Sequence, residues 1–193
     1  MISGRGLGRR FGERSVLSKV DLDVERGDFL LVTGPNGSGK TTLLRLLAGL
    51  LAPTAGTLEV AADRGRIGFL GHEPLLYREL TALENLDLYG RLYRVPERRE
   101  RTGMLLERFG LWEARGEQVS TFSRGMVQRL ALCRTLLHDP DLLLLDEPFT
   151  ALDAEGAELL HAELADGAPR TRVVASHQPE RIAALATAQL ALA

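Results

Sequence analysis

The chain has 193 residues, of which 45% are hydrophobic and 26% are charged, so it can bury a core and is neither disordered nor of low complexity. The formal net charge is −2, from 24 basic and 26 acidic residues, which argues against general electrostatic binding to nucleic acid or anionic lipid. A single cysteine, Cys133, excludes an internal disulfide. The sequence indicates no signal peptide and no membrane-spanning stretch, so we expect a soluble protein of a reducing compartment.

The first part of the chain predicts strands that lead into a glycine-rich turn. Residues 16–24 largely alternate apolar and polar side chains, and residues 28–33 form a short apolar run, so both are predicted strands. The helical pattern TTLLRLLAGL comes after the turn and ends at Gly49 and Pro53. Further strands are predicted at 57–60 and 67–70.

Residues 80–138 have a different, helical character. The segments TALENLDLYGRLY, PERRERTGMLLERF and RGMVQRLALCRTLLH all show helical spacing, and Pro96 is well placed to begin the middle helix. Strand patterns return at 141–146 and 171–176, each followed by a helical pattern. Strands that alternate with helices predict a parallel sheet covered on both faces, here with a helical insertion in the middle of the chain.

The glycine-rich turn matches a phosphate-binding pattern. Residues 34–41 read GPNGSGKT and fit G-x-x-x-x-G-K-[ST] at every fixed position. The three glycines allow backbone conformations that turn N–H groups toward phosphate oxygens, and the next helix directs its N-terminus at the same anion. Lys40 would bring positive charge to the β- and γ-phosphates, and Thr41 would offer a hydroxyl to Mg²⁺. An ordinary glycine-rich turn is the alternative. The predicted ATP-binding residues in this segment are Gly34, Pro35, Asn36, Gly37, Ser38, Gly39, Lys40, Thr41 and Thr42.

Two carboxylates follow the apolar run at 141–145. Ligands bind at the carboxyl edge of an open parallel sheet, where Asp146 and Glu147 are predicted to lie. Asp146 would hold Mg²⁺ through water, and Glu147 would polarise an attacking water. A solvated acidic turn at a strand end is the alternative, but a phosphate loop about a hundred residues upstream favours the functional interpretation.

Taken in order, these motifs resemble the ATP-binding subunits of ABC transporters along nearly the whole chain. Residues 122–126, FSRGM, correspond to the family's LSGGQ signature, with Arg124 and Met126 in place of Gly and Gln. The family-like string QRLALCRTLLHDPDLLLLDEP follows. TALD at 150–153 matches the D-loop, and His177 in VVASHQ matches the H-loop histidine.

The resemblance implies roles for individual residues. Phe11 would stack on adenine, with core packing as the alternative, and Ser123 and Gly125 would contact a γ-phosphate. Asp153 would belong to the D-loop of a dimer. The predicted catalytic residues are Lys40, Glu147 and His177, and the predicted magnesium ligands are Thr41, Asp146 and His72.

His72 occupies the position where the wider family has its Q-loop glutamine. The string FLGHEPLLYRELTALENL, the SRGM signature and DEPFTALD most resemble one branch, the heme-exporter ATPase of cytochrome c maturation, which also tends to have Gly-His here. The ATPase of a drug, polysaccharide or ion exporter remains an alternative, because such signatures also often read SRGM. A non-transport ABC factor and a nucleotide-dependent assembly module remain open as well.

The resemblance also implies the architecture and the partners. It implies an α/β, RecA-like P-loop NTPase fold with a mainly parallel sheet core, an N-terminal antiparallel β part and an inserted α-helical subdomain. We expect one domain over 1–193, with the nucleotide-binding core at 1–78 and 139–193 and the helical signature subdomain at 79–138. ATP and Mg²⁺ are the implied cofactors. The implied partners are a second copy of the chain and integral membrane transporter subunits, without nucleic acid, at the cytoplasmic face of the membrane.

Three other side chains are predicted to have structural roles. Cys133 lies on the apolar face of a predicted helix and is expected in the core. His138 and His161 are expected at the surface near helix ends.

Overall fold

Eight strands and five α-helices are formed by residues 1–167 and 169–193, the part of the chain that the computed structural model describes. The strands are β1 (Ile2–Phe11), β2 (Arg14–Val24), β3 (Phe29–Thr33), β4 (Ala55–Val60), β5 (Ile67–Leu70), β6 (Leu142–Asp146), β7 (Thr171–Ala175) and β8 (Ala188–Ala191). The α-helices are α1 (Lys40–Leu47), α2 (Ala82–Leu92), α3 (Arg98–Arg108), α4 (Arg124–Leu136) and α5 (Ala154–Ala165). Among these described residues, no helix is long and apolar enough to cross a membrane.

The chain divides into two compact units, and the first contains both sheets. It comprises Met1–Gly71, Asp141–Glu147 and Gly167–Ala193. One sheet is antiparallel with the strand order β2-β1-β4, and the other is parallel with the order β5-β6-β7-β3-β8. The predicted parallel sheet and the predicted antiparallel part near the N-terminus are therefore confirmed.

The register of the parallel sheet brings three strand ends together. Ala175 of β7 pairs with Val32 of β3 on one side and with Asp146 of β6 on the other. The segments that follow these strands therefore leave the sheet from the same carboxyl edge, which is where ligands bind in open α/β sheets.

The core of this unit explains why β3 and β6 are continuous apolar runs. Strands inside a parallel sheet are buried on both faces, and consecutive residues of β3 (29–32) and of β6 (142–146) are all buried here. Leu30, Val32, Leu142 and Leu144 belong to one core cluster. Helix α1 contributes Leu43, Leu44, Leu46 and Leu47 to the same cluster. This packing fixes the start of α1 relative to the ends of β3 and β6.

The second unit is helical and comprises His72–Pro140 and Pro148–Asp166. The predicted helical segment 79–138 lies wholly inside it, together with α5. Helix α2 begins with a capping box, in which Thr81 Oγ accepts from the Glu84 N–H and the Glu84 carboxylate accepts from the Thr81 N–H. These bonds from Thr81 hold the pKa of Glu84 below its usual range. The predicted Cys133 core position is confirmed, and burial raises the pKa of its thiol.

Two sequence-based predictions differ from the structure, and one strand was not predicted. His138 is buried and stacks on Tyr93 with a centroid distance of 4.3 Å, so its predicted surface position is wrong, whereas His161 is exposed as expected. The helix predicted after β7 is replaced by two short 3-10 turns, Pro179–Arg181 and Ala183–Leu185. Strand β1 had no strand prediction of its own, because glycines and register shifts interrupt its apolar alternation.

Candidate active site

The phosphate loop joins the end of β3 to the start of α1. Gly34 and Gly39 have φ angles of +147° and +99°, which residues with a Cβ rarely adopt. Space is also limiting, because a Cβ on Gly34 would lie 2.4 Å from the Leu192 carbonyl oxygen and one on Gly39 would lie 2.6 Å from Leu17 Cδ2. Both glycines are therefore required by conformation and by close approach of neighbouring chain.

Helix α1 begins without a side-chain cap. Its N-cap is Gly39, which offers no hydrogen-bonding side chain, and its first turn holds no acidic residue. An α-helix leaves its first N–H groups without acceptors inside the helix, and these groups attract an anion. The preceding Ser38 is only 8% exposed, and its hydroxyl has no hydrogen-bond partner among the described residues. The loop thus offers polar hydrogens to an anionic ligand.

Glu147 follows β6 in a conformation that is unfavourable for its residue type. Its φ angle is +49°, in the left-handed region that a residue with a bulky side chain seldom enters. The Glu147 N–H donates to the Ala175 carbonyl at 2.9 Å, which ties the residue to the end of β7. The strain is thereby offset by the sheet, and the carboxylate is fixed at the carboxyl edge.

The Glu147 carboxylate lies between a lysine and a histidine. Its Oε2 is 2.6 Å from His177 Nδ1 and accepts from the His177 backbone N–H at 3.2 Å. Its Oε1 is 3.7 Å from Lys40 Nζ. The structure therefore brings the three predicted catalytic residues into one cluster in the first unit.

Lys40 is held inside the phosphate loop itself. Its ammonium donates to the carbonyls of Gly34 and Pro35, at 2.7 and 3.1 Å. The side chain is almost fully buried, whereas His177 is half-exposed. A buried ammonium ringed by carbonyl oxygens and one carboxylate has a fixed position from which to meet a phosphate.

The remaining predicted ATP-binding residues of the first unit lie on more open surface. Phe11 ends β1 with 46% of its surface exposed, and the Arg9 guanidinium lies 4.6 Å from its ring centroid. Exposure fits a stacking platform better than the alternative of core packing. The loop residues Pro35, Asn36 and Gly37 are exposed, and Thr41 and Thr42 are half-buried at the start of α1.

The second unit holds the other predicted site residues. Ser123 Oγ accepts from the Met126 N–H at 3.2 Å and so caps α4. Asp153 Oδ1 caps α5 by accepting from the Gly156 N–H at 2.9 Å. A Cβ added to Gly125 would lie 3.5 Å from Asp153 Oδ2, so signature and D-loop residues are neighbours in this unit. His72 is exposed, two residues after β5.

The donor set near β6 suits magnesium only with help from a ligand. No group of three or more His, Cys, Asp or Glu that could hold a metal ion occurs in the part of the chain that the structure describes. Asp146 is 2% exposed at the end of β6, and Thr41 lies in the first turn of α1 in the same unit. Mg²⁺ commonly takes one or two protein oxygens together with substrate phosphates and water, and Thr41 and Asp146 fit that pattern. The part of His72 in metal binding stays a prediction.

Comparison with protein families gives the class of this protein. The family model for ABC transporters matches residues 17–150, which include the phosphate loop, the signature region and both carboxylates. The chain belongs to the ABC transporter family, as one of its ATP-binding domains. The nucleotide of this class is ATP with Mg²⁺.

Curated relatives share a third to nearly a half of the aligned residues. The chain is 44% identical to the daunorubicin resistance ATP-binding protein DrrA3 of Streptomyces coeruleorubidus, over 78% of this chain and 51% of that protein. It is 37% identical to the ABC transporter ATP-binding protein NatA of Bacillus subtilis, over 96% of this chain and 82% of the relative. It is 43% identical to the aliphatic sulfonates import ATP-binding protein SsuB 1 of Paraburkholderia xenovorans, over 82% of this chain and 46% of that protein. The chain thus spans about half the length of several relatives that it matches.

Solved structures agree with the fold. The ATP-binding subunit of an ABC transporter superposes with a TM-score of 0.90 at 25% identity, covering 99% of this chain and 85% of the other. The cassette MJ0796, in a dimeric post-hydrolysis state bound to ADP and Pi, gives a TM-score of 0.85 at 29% identity, covering 100% and 94%. The fold predicted from the sequence is therefore confirmed.

Proposed function

We propose that the protein hydrolyses MgATP and uses the energy to drive an integral membrane partner. The observation that carries this proposal is the cluster of Lys40, Glu147 and His177 at the carboxyl edge of the parallel sheet. Family membership and the likeness to a cassette bound to ADP and Pi support it.

The first step is binding of the triphosphate by the loop before α1. The uncapped helix N-terminus and the Ser38 hydroxyl would donate to phosphate oxygens, and Lys40 would exchange its carbonyl contacts for the β- and γ-phosphates. Thr41 and Asp146 would hold Mg²⁺. The positive charge of the ion would neutralise the negative charge of the phosphates. Phe11 would stack on the adenine.

The second step is in-line attack of water on the γ-phosphorus. Glu147 would orient the water and accept its proton, because its carboxylate is fixed by His177 on one side and approached by Lys40 on the other. His177 has a second ring nitrogen, Nε2, that is free of the Glu147 contact and would face the γ-phosphate. Phosphoryl transfer depends mostly on positioning and charge neutralisation, so a rigid cluster is the main requirement.

A second copy of the chain would complete the site. Ser123 and Gly125 would contact the γ-phosphate bound by the partner copy, with Asp153 at the dimer interface. The dimeric MJ0796 structure supports this part of the proposal. The membrane partner is supported by family membership and by relatives named for import or drug resistance. The protein would then act at the cytoplasmic face of the membrane.

A more specific candidate function is the export of heme. It is favoured by one observation, the Gly71-His72 pair at the Q-loop position within FLGHEPLLYRELTALENL. The relatives reported above are named for drug resistance and sulfonate import, which favours another exported or imported cargo. The membrane protein that co-purifies with this chain would decide between them, since the cargo is chosen by the membrane subunits.

Phosphate release by the purified chain tests the core of the proposal. We expect ATP-dependent release that requires Mg²⁺, rises more steeply than linearly with protein concentration and increases when the membrane partner is added. Turnover that is linear in protein concentration would contradict the dimer. Absence of any Mg²⁺-dependent hydrolysis, with or without a membrane fraction, would contradict the enzyme and favour a nucleotide-dependent assembly module.

A further inference from the structure

A buried arginine on α4 was given no role of its own by the sequence patterns. Arg129 is 7% exposed, and its Nη1 donates to the Phe109 carbonyl at 3.2 Å. The same Nη1 is 3.7 Å from Glu155 Oε2, and Nη2 is 3.9 Å from Asp153 Oδ2. An arginine is seldom buried to this degree unless its charge is paired. Arg129 therefore links α4 to the start of α5.

The neighbouring glycines leave room for this arginine. A Cβ on Gly110 would lie 3.0 Å from Arg129 Nη1, and Gly110 has a φ of +63°. Gly156 lies inside α5, where glycine is a poor helix former. A Cβ there would lie 2.9 Å from Asp153 Oδ1 and 3.3 Å from Arg129 Cδ. The local sequence is thus suited to this arginine and to the aspartate it faces.

Helix α4 makes a second attachment to the same stretch of chain. Gln128 Nε2 donates to the Pro148 carbonyl at 3.1 Å. Adjacent residues of α4 therefore hold both ends of residues 148–155, which we name the post-β6 segment. This segment begins directly after Glu147 in the chain and contains the D-loop residue Asp153.

We propose that Arg129 is a positioning residue that fixes the post-β6 segment to the signature helix and thereby sets the rate of ATP turnover without contributing to ATP affinity. The inference rests on the proposed function. Asp153 uses one carboxylate oxygen to cap α5 and directs the other toward Arg129. With Arg129 in place, the first turn of α4, Asp153 and the start of α5 form one rigid part of the second unit. Loss of that rigidity would misplace the D-loop and loosen the chain that follows Glu147.

Replacement by lysine separates position from charge. Arg129 meets its three partners with two guanidinium nitrogens, Nη1 and Nη2, whereas lysine has a single ammonium and cannot reproduce this arrangement. Arg129→Lys keeps the charge and most of the volume. The matched control is Arg101→Lys on α3, because Arg101 bonds the Leu136 and Leu137 carbonyls and Asp139 at the opposite end of α4.

Amide hydrogen exchange in the nucleotide-free chain tests the attachment itself. Arg129→Lys should speed exchange in peptides that cover 150–157 by about threefold, the effect of weakening ion pairs with exposed carboxylates. Arg101→Lys should leave those peptides unchanged. Unchanged exchange in Arg129→Lys would overturn the proposal. This arm does not depend on ATP turnover, so it remains decisive if the proposed function fails.

Kinetics test the positioning role. Arg129→Lys should lower kcat about tenfold and leave the Kd for ATP within about twofold. The exposed partner Asp153→Asn should give a similar loss, and the double variant should be no slower than either single variant. Wild-type kcat in Arg129→Lys, or fully additive losses in the double variant, would overturn the inference. If Arg129→Lys does not fold, Glu155→Gln carries the test, because it removes the charge that faces Arg129 Nη1. A purely structural role would lower Tm and leave kcat intact.

Discussion

Helices α1 and α4 both begin at residues predicted to bind phosphate, but their N-termini differ. Helix α1 starts after Gly39, with no side-chain cap and no acidic residue in its first turn. Helix α4 starts after Ser123, whose hydroxyl accepts from the Met126 N–H. Helices α2 and α5 are also capped by side chains, and α3 has Glu100 in its first turn. Helix α1 is therefore the helix that is left open for an anion.

The difference between the two N-termini indicates that the two helices have different roles in binding phosphate. An N-terminus without a cap has N–H groups available for a ligand, whereas a capped one is complete in the free protein. A hydroxyl has two acceptor positions and one donor, so Ser123 can keep its capping bond and still donate to a phosphate. In our account, α1 binds the triphosphate in each single chain, and α4 adds a contact only when a second copy brings a phosphate to it.

The largest effect on ATP turnover is expected at Glu147, which belongs to the same unit as α1. Glu147→Gln keeps the shape of the side chain and loses the basic oxygen, so turnover should fall by about 10²- to 10⁴-fold while ATP binding persists. Phosphate release and equilibrium binding measure the two effects. Glu158→Gln on the exposed face of α5 is the matched control. Wild-type turnover in Glu147→Gln would remove this residue from the mechanism.

The next effect concerns the charge at the start of α1. Lys40→Ala deletes the ammonium that faces the phosphates, and ATP affinity should fall by about 10- to 100-fold, the value of one hydrogen bond to a charged group. Lys19 is the only other lysine of the chain and is exposed on β2, so Lys19→Ala is a matched control that should bind ATP normally. Unchanged affinity in Lys40→Ala would contradict the phosphate-loop assignment.

A smaller effect is expected at His72, which belongs to the same unit as α4. We expect His72→Ala to keep ATP affinity and basal hydrolysis and to lose most of the stimulation by the membrane partner. His72→Gln should retain the stimulation, because the amide can also donate and accept hydrogen bonds. ATPase assays with and without partner membranes measure this. Intact stimulation in His72→Ala with a lowered Tm would indicate a structural histidine.

The smallest effect concerns a surface ion pair between α2 and α3. Arg98 Nε donates to Asp87 Oδ1 at 2.6 Å, and Arg91 also pairs with this carboxylate. Both arginines hold the pKa of Asp87 below its usual range. Because the pKa is lower in the folded state, the stabilisation is present above the unfolded value of about 3.9 and is lost as pH falls through the folded value. Asp87→Asn should cost about 0.5 kcal/mol at pH 7, because the carboxylate is 36% exposed. Chemical denaturation at falling pH should show that the difference from wild type shrinks below about pH 3.9.

The parts that could be predicted from the sequence are those fixed by local pattern. Apolar runs gave β3 and β6, and the fixed spacing of GPNGSGKT gave the phosphate loop, because each depends on residues close together in the chain. Strand β1 was not predicted because three glycines and its register shifts hide its periodicity. The burial of His138 depends on Tyr93, which lies 45 positions earlier.

The cluster around Glu147 could be predicted only in part. Sequence position and resemblance named Glu147, His177 and Lys40, but not that one carboxylate lies between the other two side chains. Arg129 was missed entirely, since its partners at Phe109, Asp153 and Glu155 are about 20 to 26 residues away and no short motif joins them. Contacts of this kind depend on tertiary packing.

In the proposed mechanism, α1 binds ATP in each chain and α4 contributes only in the dimer. The most direct measurement is a MgATP titration of Ser123→Ala in a Glu147→Gln background, followed by sizing of the complex. Thr81→Ala is the matched control, because it removes an equivalent cap from α2 and should cost a similar amount of stability, about 1 kcal/mol. We predict that Ser123→Ala binds ATP within about threefold of its parent and fails to form the ATP-bound dimer, whereas Thr81→Ala still dimerises. A loss of ATP affinity in monomeric Ser123→Ala as large as that of Lys40→Ala would contradict the account.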